Sequence, residues 1–142
     1  MRYLVAIDGS AESDEAVRYA SNHAVALDAT LEIVHVLTPE TKLVGGEVVL
    51  PGDDRSTERG ERVLAEARRL ALDAAGDDGE PAVETELLAG RPADAIARHA
   101  RETDADAIYV GHRGLSDERE RVVGSVAKSV LDKATVPVTV IR

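Results

Sequence analysis

One segment concentrates residues suited to holding phosphate. Gly111-His112-Arg113-Gly114 is followed, after nine intervening residues, by Gly124-Ser125, which opens an apolar-periodic stretch. Glycine lets a backbone approach phosphate oxygens closely and adopt positive φ. A helix N-terminus adds unpaired N–H groups and the positive end of a dipole, and Ser125 adds a hydroxyl there. The same residues also suit an ordinary strand-to-helix loop with a serine cap. The residues alone leave both readings open. A second polar cluster, Asp8-Gly9-Ser10, is good Asx-turn and helix-capping chemistry.

Competing chemistry finds no support. There is no GxGxxG dinucleotide fingerprint and no GxxxxGK[ST] phosphate loop, nor a GxSxG nucleophile elbow. Ser125-Val126-Ala127-Lys128 matches SxxK, but the companion SDN and KTG elements are missing, and Lys128 reads as a solvated helix residue. His23, His35, His99 and His112 show no metal-ligand spacing, and with Cys 0 there is no thiol nucleophile or cysteine zinc site. His23 and His99 read as surface or partly buried helix residues, His35 as a strand-end residue. A phospho-acceptor receiver needs an aspartate after its third strand, where Leu88-Ala89-Gly90 stands.

The elements that must position these residues alternate along the chain. Tyr3–Ile7 is a short apolar run stopped by Asp8 and predicts a buried strand. Ala16, Val17, Ala20, Ala24 and Leu27 recur at helical spacing behind Ser10 or Ser13 as N-cap. Thr30–Val36 predicts strand two; residues 38–56, with Pro39, Gly45, Gly46, Pro51 and Gly52, read as a long irregular loop. A helix carrying Val63, Leu64, Ala67, Leu70, Ala71 and Ala74 is stopped by Gly76. Strand three spans Ala82–Leu88, and Gly90-Arg91-Pro92 opens a helix with Ala93, Ile96, Ala97 and Ala100. Ala107–Val110 is strand four. A last helix from Gly124 to about Ala134 carries Val126, Val130 and Leu131 on one face, before strand five at Pro137–Ile141. This β-α alternation predicts a single α/β domain: a five-stranded parallel sheet, Rossmann-like, with helices on both faces. Ligands of such sheets bind beyond the strand C-termini at the switch in strand order. Asp8, the end of strand two and Gly111 all sit at that edge.

Composition narrows the function classes. Lys+Arg 17 against Asp+Glu 27 gives a net charge of −10 in 142 residues, which repels phosphate backbones and anionic lipid, so neither nucleic acid nor a membrane surface is an expected partner. Hydrophobic residues make up 44% of the chain and fall in periodic blocks, which excludes disorder. No apolar run approaches the ~20 residues that span a bilayer, and the apolar stretch of MRYLVAIDGS is too short for a signal peptide, so a cytoplasmic location is expected. Without Phe or Trp, the core must be built from Val, Leu, Ile and Ala around Tyr3, Tyr19 and Tyr109. An acidic surface with only three lysines, Lys42, Lys128 and Lys133, suits a halophilic protein, whose salt screens the self-repulsion.

The spacing Gly-x2-Gly-x9-Gly-Ser resembles the nucleotide motif of the universal stress protein family, in its ATP-binding branch. VAIDGS at the first strand end, HV at the second, LLAGRPADAI at the third and VGSVAKSVL with VPVTVIR at the end resemble that family in the same order. Residues 1–142 therefore read as one universal stress protein-like nucleotide-binding domain, with a fold of the adenine nucleotide alpha hydrolase-like kind. The resemblance implies that Ala6, Ile7 and Asp8 line an adenosine site, with Asp8 near ribose or a metal-bound phosphate. It implies that Val36 contacts adenine, that Val110, Gly111, Arg113 and Gly114 lie under ribose and phosphates, and that Gly124, Ser125 and Val126 close on a triphosphate. ATP with Mg²⁺, or AMP or another adenine nucleotide, is the implied ligand, and stress adaptation the implied setting. A homodimer through the last strand, Val138–Ile141, is implied as well. The family often has a small residue and then His between its first two glycines, where this chain has His112 and Arg113. Two alternatives stand beside this reading: a slow ATPase, for which His112 is the candidate base, and a dimeric protein of this fold that binds no nucleotide.

The charge balance carries a direct test. Screening at about 1 M salt shortens the Debye length to about 3 Å, so the melting temperature should rise as KCl goes from about 0.1 M toward molar levels. A melting temperature that stays flat across that series contradicts the high-salt reading.

Overall fold

The computed structural model describes residues 1–38, 42–44, 47–49, 54–76, 79–112 and 124–142. Strands β1 (Arg2–Ile7), β2 (Thr30–Leu37), β5 (Ala82–Ala89), β6 (Ala107–Gly111) and β7 (Val138–Ile141) form one sheet. Helices α1 (Ala11–Ala26), α2 (Asp54–Ala75), α3 (Pro92–Glu102) and α4 (Ser125–Lys133) connect them. The expected elements are all present, with ends moved by a residue or two. Pro137 falls just outside β7; it has no N–H for the ladder, but its carbonyl accepts from Ile108 N–H at 2.9 Å. The long stretch 38–56 differs from expectation. It contains a short antiparallel pair, β3 (Lys42–Val44) with β4 (Glu47–Val49), and α2 already begins at Asp54. The physical reason is that Gly45-Gly46 lies between two short segments, Lys42–Val44 and Glu47–Val49, that carry Leu43, Val44, Val48 and Val49, a pattern that favours a hairpin.

The sheet order is β5-β2-β1-β6-β7, and every neighbouring pair is parallel. From β1 the chain steps outward through β2 to β5, then crosses back over β1 to β6 and on to β7. Connections therefore leave β1 and β6 in opposite directions, and the switch crevice opens between their C-terminal ends. Among the described residues no helix is long and apolar enough to cross a membrane.

Side-chain alternation along the strands divides the core into two layers. Tyr3, Val5, Ile7, Leu31, Ile33 and Tyr109 face α1 and α2. Leu4, Val34, Ile108 and Val110 face α3 and α4. The helices meet the sheet through small residues, with Ala16, Ala20 and Ala24 of α1 and Ala67 and Ala71 of α2 all buried. Ser21 sits fully buried among them and donates its hydroxyl to the Ala71 carbonyl at 2.6 Å, bridging the two helices. Tyr19 departs from the expected core. It is 42% exposed and packs on His23 at the rim, 4.3 Å between ring centres, while Tyr3 and Tyr109 are buried edge-to-face. The inner face of α4 is the expected one only in part: Val130 is buried, together with Ala127, whereas Val126 and Leu131 are exposed.

At the N-terminal end of the sheet, Glu32 is buried on β2 and holds two partners. Its carboxylate accepts from His99 Nε2 at 2.7 Å and from Arg2 Nη2 at 2.8 Å; Arg2 also pairs with the more exposed Glu84. Burial alone would lower the Arg2 pKa, but its bonds to Glu84 and Glu32 reverse that and raise it. This cluster ties β1, β2, β5 and α3 together at the end of the sheet opposite the crevice.

Candidate functional site

The β1 side of the crevice is a chain of short-range bonds. Asp8 Oδ1 accepts from Ser10 N–H at 2.9 Å, an Asx turn, and Gly9 takes φ +85° within it. Ser10 is the N-cap of α1: its hydroxyl oxygen accepts from Ser13 N–H at 3.1 Å, while Ser13 Oγ donates back to the Ser10 carbonyl at 3.0 Å. Of the two serines expected as cap, Ser10 is the one. One residue that sequence reasoning underrated sits beside this turn. His35, in register with Ile7, donates through Nδ1–H to the Ile7 carbonyl at 2.9 Å and so fixes the last peptide of β1. The HV dipeptide was the available signal.

On the β6 side, Gly111 has a structural reason beyond any ligand. A Cβ there would stand 2.9 Å from the Glu12 carbonyl carbon, 3.0 Å from its oxygen and 3.0 Å from Ser13 N. The first turn of α1 thus lies directly on the end of β6. Gly111 is not among the positive-φ residues, and Gly124 sits at φ −59°, ψ 153°, open to any residue. Of the two uses of glycine expected here, close approach of the backbone and positive φ, the second does not apply at either position. His112 follows, buried, its N–H donating to Ile141 carbonyl and its carbonyl accepting from Gly124 N–H, both at 2.6 Å. Gly124 caps α4 without any side-chain bond, and no acidic residue stands in the first turn of α4. α1 is the opposite case, with Ser10 bonded across its N-terminus and Glu12 and Asp14 in its first turn. Burial raises the Asp14 pKa; Arg18 opposes this, and Glu15, Glu66 and Asp8 reinforce it. Of the two helix N-termini that flank this crevice, α4 is the one without acidic residues in its first turn, which suits an anion better.

The structure brings together Ala6, Ile7, Asp8, Val36, Val110, Gly111, Gly124, Ser125 and Val126 at or next to the C-terminal edge of the sheet. They contribute differently. Ile7 and Val110 are buried in the two core layers, so they offer the crevice backbone rather than side chain. Ala6 and Val36 are half-buried against the α3–α4 layer. Ser125 and Val126 are exposed at the start of α4, and Asp8 is half-buried. Arg113 and Gly114 lie outside the described residues. Among the described residues no three His, Asp or Glu side chains are grouped to hold a metal ion.

The chain is thus a doubly wound α/β domain, with a serine-capped turn after its first strand and the α4 N-terminus across the switch in strand order. The family model described as Universal stress protein family matches residues 1–142, and the chain belongs to that family. A Thermus aquaticus protein, "Universal stress protein in QAH/OAS sulfhydrylase 3'region", is 35% identical over 139 residues, covering 98% of this chain and 96% of its own. Universal stress protein YxiE of Bacillus subtilis is 34% identical over 146 residues, covering 99% and 98%. Among solved structures, a universal stress protein of Archaeoglobus fulgidus in complex with dAMP superposes with TM-score 0.75 at 28% identity, covering 100% of this chain and 98% of its own. A universal stress protein in complex with cAMP gives TM-score 0.76 at 28% identity, covering 100% and 96%.

The packing at Gly111 generates a clear expectation. Gly111→Ala drives a methyl into the α1 backbone and should lower stability by about 1–3 kcal/mol, whereas Gly124→Ala keeps an ordinary φ and should fold normally. Urea denaturation in high salt measures both; an unchanged Gly111→Ala midpoint would mean that α1 yields without cost.

Proposed function

We propose that this protein is an ATP-binding regulatory module of stress adaptation, working in the cytoplasm, with its nucleotide site in the crevice between β1 and β6. The observation that carries the reading is the pairing of helix ends at the switch point: α1 is capped and acidic, while α4 is uncapped and free of acidic residues in its first turn. An anionic ligand entering there is directed to α4. The adenine-nucleotide complexes of two structural neighbours support the choice of ligand. Residues 1–142 act as one nucleotide-binding domain. Ala6, Ile7 and Asp8 line the adenosine end, with Val36 against adenine. Val110, Gly111, Arg113 and Gly114 pass beneath ribose and phosphates, and Gly124, Ser125 and Val126 meet the triphosphate. Mg²⁺ fits this site only as a companion of the triphosphate, since Asp8 is the single carboxylate the site residues supply. Hydrolysis, if present, is slow.

Calorimetric titration with Mg-ATP in molar KCl tests this reading. Ser125→Ala removes one hydroxyl bond to a charged group and should weaken binding about tenfold to a hundredfold. No heat at millimolar nucleotide with wild-type protein refutes it.

The same reading includes a homodimer. β7 lies at the edge of the sheet, and all four of its residues, Val138–Ile141, remain half-buried rather than covered. An apolar edge strand favours pairing with a second copy. Light scattering at micromolar concentration in high salt should give twice 15.1 kDa, and a mass of 15.1 kDa excludes the dimer.

A further inference from the structure

His112 is 6% exposed, and its Nε2 is sealed from solvent with no hydrogen-bond partner among the described residues. Buried polar atoms are almost always bonded, so an orphaned one calls for an explanation. The backbone of the same residue is fully used, held to Ile141 on one side and to Gly124 on the other. The position of the ring follows from its neighbour. The missing Cβ of Gly111 points at Glu12 and Ser13 of α1, so alternation along the strand turns His112 to the opposite face, where Val110 packs in the α3–α4 layer. With its carbonyl 2.6 Å from Gly124 N, His112 stands at the N-terminal end of α4. There the cap residue has no side chain, and the first turn of α4 itself carries no acidic residue.

We propose that His112 is a phosphate-contacting residue, its Nε2–H donating to an anionic oxygen held at the N-terminus of α4. The ligand class follows from the company it keeps. The first-turn N–H groups of α4 are donors only, so the group that satisfies them together with the imidazole must be an acceptor, and the positive end of the helix favours one that carries negative charge. A phosphoryl group has three such oxygens; a ribose hydroxyl can accept but brings no charge for the helix end to favour, and a base amino group is a donor. This inference rests on the nucleotide reading above and adds to it a donor that the glycine-serine motif does not include.

Titrations of the full chain with adenosine and with Mg-ATP, in molar KCl, separate the two claims. His112→Leu should lose about tenfold in ATP affinity and leave adenosine affinity unchanged. His112→Gln, which keeps an amide donor, should recover part of the loss. Equal losses for both ligands, or no loss for ATP, overturn the proposal, because a merely structural histidine does not discriminate between them. Should the leucine variant fail to fold, the imidazole resonances of wild-type His112 decide: they should shift on addition of Mg-ATP and stay in place with adenosine. Wild-type protein that binds neither ligand refutes the nucleotide reading. Inorganic phosphate then tests His112 separately: a shift of its imidazole resonance supports the anion contact, and an unmoved resonance overturns it.

Discussion

The first turn of α1 rests on the last residue of β6 with no space between them for a side chain. Much of the C-terminal edge of the sheet is arranged by that contact. It sets where α1 begins, and so where the Asp8 turn and the Ser10 cap lie relative to the switch in strand order. It also determines the direction of the next side chain, because strand alternation sends His112 away from α1 and toward α4. A larger residue at 111 would separate the two halves of the crevice before any ligand was involved.

The two ends of the sheet are held by different forces. At the N-terminal end, Glu32 gathers His99 and Arg2 into a buried ionic cluster, and Arg2 reaches on to Glu84. Its strength depends on side-chain charge in a poorly solvated place, and losing one member would leave the others exposed to the full cost of burial. At the C-terminal end the ties are made mostly by backbone: Gly124 to His112, His112 to Ile141, and the Ile7 carbonyl to His35. A rigid base under an edge held by peptide groups is a sound way to support a binding site, since loops near it can differ without loosening the sheet.

The fold was legible in the sequence because its strands are short apolar runs and its helices carry alanine at helical spacing, two periods that cannot be confused over this length. What escaped reading has physical causes. The β3–β4 pair was hidden by its glycines and prolines, which signal irregularity and hairpins alike. On α4, Val126 and Leu131 are large and apolar and so suggest burial. Here Ala127 and Val130 face the core, while Val126 and Leu131 point outward. Tyr19 was placed inside for the same reason, although a phenol can lie across a helix surface with one side wet. The site was legible as a set of positions but not as a set of roles. Nothing in the sequence shows that Gly111 also has a packing reason in its closeness to Glu12, or that the ring of His112 is buried with no partner among the described residues.

Tyrosine is the only strong chromophore of this chain, which has neither Trp nor Phe. Tyr3 and Tyr109 lie in the α1 layer with ring centres 5.7 Å apart, Tyr19 is 6.1 Å from Tyr109, and His23 bonds the Tyr109 hydroxyl at 3.0 Å. Burial pushes the Tyr109 phenol up to about 12, with Tyr3 and Tyr19 adding to the shift. Ultraviolet absorbance and emission therefore report on one corner of the molecule, where β1 and β6 meet α1. An optical melting curve follows that corner, and the α3–α4 layer can loosen without changing the signal.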